Sequence, residues 1–285
     1  MAHSTLPRVF ASGVDYLTAT ARPDEGADEL GRLAGAVVVE EREAGNRMRT
    51  WLWRGYGGIA AGGAMFGTRA DGVIVRLSGA TAARWAPAAA KLASTVTRCD
   101  LQVTWIDPDG DADAAVMKLY RDRAALSGRG RPTDRTILRP EQTGPTLYAG
   151  RRSSANFGRI YDKHSEEPAA YPPGAVRAEV EAKGPVARAL GTRVGDGSVT
   201  GGYVLAYTRD WFARRGVALP LPPDGRAELD VPPRAPTDAE RTMEWLTKQV
   251  RPGVQRAMDW RGLWPTLKAL GLDAPIQREY GLCVR

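Results

Sequence analysis

Three segments of this chain alternate between small or apolar residues and polar residues with a period of two. In RCDLQVTW, Arg98, Asp100, Gln102 and Thr104 fall on one side of a strand and Cys99, Leu101, Val103 and Trp105 on the other. In RIYDK, Arg159, Tyr161 and Lys163 share a side, opposite Ile160 and Asp162. In RAEVEAK, Arg177, Glu179 and Glu181 share a side, opposite Ala178 and Val180. Such alternation demands a sheet packed on one face and open on the other. A parallel sheet covered on both faces would read as unbroken apolar runs. If the three strands pair, their polar sides align into one surface of carboxylates, a tyrosine and cations.

The rest of the chain supplies helices and further strands. A β-rich run over 13–21, an amphipathic run over 28–45, and glycine-broken strands over 50–79 come first. Ala70-Asp71-Gly72 reads as a hairpin turn. Helices are expected over 80–94, with Pro87 disturbing it, and over 107–128, opened by capping aspartates. A strand lies between them at 97–106. Residues 128–145 read as a basic loop or a strand embedded in one. Strands follow at 146–149, 157–163 and 176–182, then a helix from Gly184 with Pro185 in its first turn. We therefore expect an α+β fold with a central, mainly antiparallel sheet and flanking helices over 1–219. A proline-rich linker spans 220–236, and a helical C-terminal segment spans 237–285, opened by the capping box Thr237-Asp238-Ala239-Glu240. The order is not that of a doubly wound nucleotide fold. GGIAAGG lacks the Lys-Ser/Thr ending of a phosphate loop.

Charge narrows the partners. Lys and Arg number 40 against 33 Asp and Glu, a net of +7. Nucleic acid is the first acidic partner to expect and an anionic membrane the second. Codon bias accounts for Arg over Lys but not for the excess over acid. Two cysteines, Cys99 and Cys283, build neither a disulfide framework nor a zinc site. The start MAHSTLPRVF has no apolar core of signal-peptide length, and no stretch approaches a membrane span. A cytosolic protein is expected. Only His3 and His164 are histidines, so a metal site would rest on carboxylates.

The polar surface has two readings. It is a solvated sheet face with cross-strand ion pairs, or it is a phosphoryl-transfer site. For the second, Tyr161 would be the nucleophile. A phenol ionises near pH 10, and the adjacent cations would favour the phenolate. Carboxylates would hold a hard divalent ion, Mg²⁺ or Mn²⁺. The residue pattern alone leaves both readings open.

A resemblance bears on the choice. TRCDLQVTWID, TLYAGRRSS, RIYDKHSEE and AVRAEVEAKG, in that order, resemble the Rep-trans replication initiators of rolling-circle plasmids; relaxases of some integrative conjugative elements are similar. The likeness runs from about Val14 to the helix after Gly184. It implies a degenerate relative of the HUH endonuclease fold that nicks a single-stranded or cruciform origin and keeps the 5′ phosphate on a tyrosine. Tyr161 matches that tyrosine, with Tyr148 in the same signature as the alternative. Asp100, Glu179 and Glu181 stand where metal-holding carboxylates are expected. Arg159, Lys163, Arg151 and Arg152 match the basic residues of the motif; Arg159 and Lys163 are expected to act with the tyrosine in catalysis, and Arg151, Arg152 and Arg177 to bind DNA. A host helicase and a second copy of the chain are further expected partners; a membrane is not.

The sequence also departs from the pattern. The run after Tyr148 reads Gly150-Arg151-Arg152-Ser153, and His164 and Ser165 displace the Glu166-Glu167 pair. No N-terminal helix-turn-helix of the relaxase type is visible, and 237–285 carries no known motif. His164 is read as solvated or capping. Trp51 and Trp53 are core candidates that could also stack on single-stranded bases. Three functions stay in view: a nicking strand transferase, a non-catalytic DNA-binding protein on the same scaffold, and an element's structural protein.

Overall fold

Val14 and Leu17 both face the core although they are three residues apart, which no regular strand allows. A β-bulge resolves this. Val14 pairs with Leu101 and Tyr16 with Asp100, so Asp15 is the additional residue. The bulge keeps Val14 and Leu17 inside and leaves Asp15 and Tyr16 on the open side. Val96 and Cys99 repeat the device on the partner strand, where Thr97 is the additional residue.

The computed structural model describes residues 7–126, 137–138, 144–223, 225, 227–231, 242–243, 247 and 250–270. The chain divides into two units, Met1–Pro232 and Pro233–Arg285. In the first, the elements run β1 (Arg8–Ala21), α1 (Ala27–Glu43), β2 (Arg49–Trp53), β3 (Tyr56–Ala61), β4 (Ala64–Arg69), β5 (Gly72–Ser78), α2 (Gly79–Leu92), β6 (Thr95–Ile106), α3 (Ala112–Leu126), β7 (Ile137–Leu138), β8 (Thr146–Ala149), β9 (Asn156–Asp162), α4 (Lys163–Glu166), β10 (Ala175–Lys183), α5 (Gly184–Gly195) and α6 (Gly201–Ala213). The strands form one ten-stranded sheet in the order β2-β3-β4-β5-β1-β6-β10-β9-β8-β7. The pairings are antiparallel.

The apolar side of the sheet carries the helices. Leu17, Leu101, Val103, Val180 and Ile160 join Leu30 and Val37 of α1, Ala82 and Ala86 of α2, Leu190 of α5 and Trp211 of α6 in one core. Burying each large side chain contributes roughly 1.5–3 kcal/mol. Pro87 does not break α2; it sits on the exposed side of the helix. Asp111 caps α3 by accepting the Ala114 N–H at 2.9 Å. Helix α6 lies where the sequence suggested no element, and Thr200 caps it through the Tyr203 N–H. It packs Trp211 on the sheet at Gly158, where an added Cβ would stand 2.4 Å from the indole.

Leu219 and Leu221 are also buried in this unit, and Arg209 donates to the Pro222 and Gly225 carbonyls. The first part of the proline-rich stretch is thus tied to α6. The second unit holds helices α7 (Arg251–Arg261) and α8 (Leu263–Ala269), separated by Gly262 at φ 85°. The capping box expected at 237–240 lies outside the described residues.

Candidate functional site

The register sets the three polar strand sides against one another. Arg177 stands between Tyr161 and Thr104, Glu179 between Arg159 and Gln102, and Glu181 between Phe157 and Asp100. They form one surface. Lys163 leaves the strand, because Asp162 accepts from the Ser165 N–H at 3.1 Å and hydroxyl at 2.5 Å and so opens α4. Its ammonium still faces the same cleft, held by Glu166 at 2.6 Å and Glu167 at 2.5 Å.

That cleft has a volume of about 560 Å³ and is lined by Asp15, Arg159, Tyr161, Lys163, Arg177 and Glu179, among others. Tyr161 is 7% exposed; its hydroxyl donates to Glu179 Oε1 at 2.5 Å. Arg159 Nε donates to Glu179 Oε2 at 2.6 Å. Arg177 is 3% exposed and spends its donors on protein groups. Nε reaches Thr104 at 2.9 Å, Nη1 reaches Asp15 at 3.1 Å, and Nη2 reaches the Tyr171 hydroxyl at 2.5 Å. The sequence suggested a direct DNA contact for Arg177, and each of its three nitrogens bonds a protein group here.

The electrostatics of Tyr161 also differ from the expectation. Burial, then the Glu179 charge and the hydrogen bond to it, push the phenol above its ordinary range; Arg177 opposes them only in part. The cations do not produce a resting phenolate. The arrangement is instead that of a hydroxyl beside a carboxylate base, with the base oriented by Arg159. Burial and the Glu179 charge likewise raise Asp15.

A smaller cavity of about 30 Å³ adjoins Asp100, Glu179, Glu181, Arg98, Arg152 and Arg159. Its three carboxylates are oxygen donors, the kind a hard divalent cation takes. Each is engaged by a cation: Asp100 by Arg98 at 2.5 Å, Glu181 by Arg98 at 2.8 Å and by Lys183, Glu179 by Arg159. Among the described residues no group of three or more His, Cys, Asp or Glu is spaced to hold a metal. The donor set fits such an ion in kind, and binding requires Arg98 and Arg159 to release it.

Tyr148 pairs with Arg159 across β8 and β9 and stacks on Phe157, with centroids 5.5 Å apart. It is packed against the sheet. Arg151 and Arg152 are exposed in the turn between these strands, and Arg152 lies over the Phe157 ring. His164 Nδ1 donates to the Tyr171 carbonyl at 2.7 Å. Trp51 donates to the Ile59 carbonyl and packs on Gly67. The Trp53 side chain lies outside the described residues.

The sheet and its helices have a counterpart among solved structures. The fold is similar to that of a replication initiator. The structure of the rolling circle replication initiator protein from Geobacillus stearothermophilus matches with a TM-score of 0.51 and 17% identity, covering 81% of this chain and 90% of that one. The likeness is one of fold. No family model matches the chain, and no curated protein matches it. No helix among the described residues is long and apolar enough to cross a membrane.

Three residues of this polar face carry no mark in the sequence pattern that would single them out. Arg98 falls on the polar side by strand alternation, but its grip on Asp100 and Glu181 depends on pairing with another strand. Asp15 sits in a bulge, whose trace in the sequence is the three-residue spacing of Val14 and Leu17. Tyr171 lies in the loop between α4 and β10, where no periodicity marks it.

Proposed function

We propose that this chain is a rolling-circle replication initiator that nicks one DNA strand and holds its 5′ phosphate on Tyr161. The observation that carries the reading is the Tyr161 hydroxyl bonded to Glu179 at 2.5 Å in an open cleft rimmed by Arg159 and Lys163. The Tyr161 oxygen attacks phosphorus as its proton passes to Glu179. The bond to the 3′ oxygen breaks, and that oxygen takes a proton from water. Arg159, which lines the same cleft, faces the charge that builds on the phosphoryl oxygens. No free phenolate is required, which accommodates the raised phenol.

The proposal includes Mg²⁺ or Mn²⁺ held by Asp100, Glu179 and Glu181. Such an ion would polarise the phosphodiester. The same reading makes single-stranded or cruciform origin DNA the substrate. A host helicase and a second copy of the chain are the further partners to test, and transfer of a conjugative element is the related role.

One observation favours a second reading. Tyr161 is buried and bound to a carboxylate, as in a structural ion-pair network, and a non-catalytic DNA-binding protein would keep that arrangement. The discriminating experiment is a cleavage assay on single-stranded oligonucleotides with and without Mn²⁺. The strand-transferase reading expects a protein–DNA adduct stable to boiling in detergent, lost on chelation. Binding without any adduct decides for the second reading.

A further inference from the structure

We propose that Gln102 and Asp15 read one unpaired base beside the attacked phosphate, selecting a keto base, thymine or guanine, by its carbonyl and the ring N–H next to it. The inference deepens the strand-transfer reading: it names what the same cleft recognises in a single strand.

A chain of hydrogen bonds fixes the Gln102 amide. A guanidinium has only donors, so the Thr104 hydroxyl accepts from Arg177 Nε at 2.9 Å. The hydroxyl's own proton then goes to Gln102 Oε1, also at 2.9 Å. A flipped amide would set a donor against that proton, so Oε1 faces Thr104 and Nε2 faces away. Nε2 has no protein acceptor among the described residues. Gln102 is 8% exposed and lines the cleft, so its amide donor opens on the space that a ligand enters. Leaving a buried donor unpaired costs about 1–3 kcal/mol, and a ligand acceptor removes that cost. An amide N–H has no lone pair for a cation, so the group calls for an acceptor and not for a metal.

Asp15 supplies the complementary acceptor. Gly13 pairs with Gln102, and the bulge after Val14 turns Asp15 to the open side. Arg177 Nη1 holds Asp15 Oδ1 at 3.1 Å, so the guanidinium that orders Thr104 and Gln102 orders this carboxylate too. Asp15 Oδ2 has no protein donor among the described residues, and Asp15 lines the same cleft. Above Gly13 the space is open: an added Cβ would meet nothing within 4 Å. The location follows from the register. Gln102 stands opposite Glu179, which accepts from the Tyr161 hydroxyl, so the base read belongs to a nucleotide flanking the phosphate under attack.

A fixed donor beside a fixed acceptor matches one edge of an unpaired base. The chemistry of the pair favours keto bases. A carbonyl oxygen has two lone pairs for the amide protons, and the ring N–H of thymine or guanine is a more acidic donor to a carboxylate than the amino group of adenine or cytosine.

The test is binding, measured on the full chain by fluorescence anisotropy in the presence of a chelator, so no cleavage is needed. The probes are homopolymers of deoxyinosine, deoxyadenosine, deoxyuridine and deoxycytidine. Deoxyinosine carries guanine's keto edge, and within the purine and pyrimidine pairs that edge is the main difference. We expect the wild type to bind the keto member of each pair roughly tenfold tighter, the discrimination of one good two-bond contact. Gln102→Glu keeps the bond from Thr104 and replaces the donor with an acceptor. Asp15→Asn keeps the bond from Arg177 and replaces the acceptor with a donor. In each variant the keto-to-amino ratio should fall to within about twofold, whatever the change in overall affinity. A preference in only one of the two pairs, lost in both variants, supports the inference and names the base as guanine or thymine. Equal wild-type affinity within both pairs, a preference for amino bases, or a keto preference that survives both substitutions overturns the inference and leaves the strand-transfer reading standing. A wild type that binds none of the strands in a salt-dependent way overturns both. The wild-type series is measured first, so a variant that misfolds does not remove the test.

Discussion

Arg98 grips Asp100 with two prongs, Nε to Oδ1 at 2.9 Å and Nη2 to Oδ2 at 2.5 Å, and the same guanidinium reaches Glu181 on the next strand at 2.8 Å. It also lies 4.2 Å from the centre of the Tyr16 ring. One side chain thus ties β1, β6 and β10 together on the open face. Even so, burial pushes the Asp100 carboxyl up to about 7, helped by the Glu181 and Glu179 charges and opposed by Arg98.

That shift has a definite sign in stability. The folded value lies above the ordinary 3.8, so the folded chain holds this proton more tightly than the unfolded one. The resulting stabilisation is complete below about pH 3.8 and is lost as pH rises through about 7. Asp100→Asn removes the titration. Its melting temperature relative to wild type should therefore rise by several degrees between pH 4 and pH 8, an effect on the order of 4 kcal/mol at most. A difference that stays flat across this window would show that Asp100 does not titrate there.

Glu179→Gln tests the base. The amide keeps the shape but accepts no proton, and general-base catalysis is worth roughly 10²–10⁴ in rate. Adduct formation should slow by about that factor while binding to single-stranded DNA persists. Single-turnover rates are the measurement. A rate within about threefold of wild type would exclude Glu179 as the base.

Arg151 and Arg152 lie exposed in the turn between β8 and β9, Arg152 lining the small cavity, where backbone phosphates can be met without base reading. Replacing both with Ala should weaken binding to all single strands alike. The slope of log K against log salt should fall by roughly 1.4, two single-strand counterions' worth. Fluorescence anisotropy over a salt series reads this directly, and an unchanged slope would make the turn a bystander.

Gly158→Ala tests the packing of α6 on the sheet. Its Cβ would stand 2.4 Å from the Trp211 ring and 2.8 Å from Phe212, both fully buried. Overpacking of this kind costs about 1–3 kcal/mol. Denaturant unfolding should show the midpoint fall with the slope unchanged. A stability equal to wild type would mean that the indole moves aside freely.

The sequence by itself determined which side of each central strand meets water. Side chains of a strand alternate by backbone geometry, so Arg98, Asp100, Arg177, Glu179, Arg159 and Tyr161 could be placed on one surface before any contact was known. The hairpin at Ala70-Asp71-Gly72 and the cap at Asp111 were legible for the same reason, since both are local. What the tertiary structure alone decided is non-local. The bulge that brings Asp15 to the cleft arises from pairing with Leu101 and Asp100, residues far away in the chain. Arg177 is turned inward because Thr104, Asp15 and Tyr171 converge on its three nitrogens. The rise of the Tyr161 phenol needs burial and a carboxylate on another strand. Spacing along one strand shows the neighbouring cations but not the depth of water around them, and that depth is set by everything packed nearby.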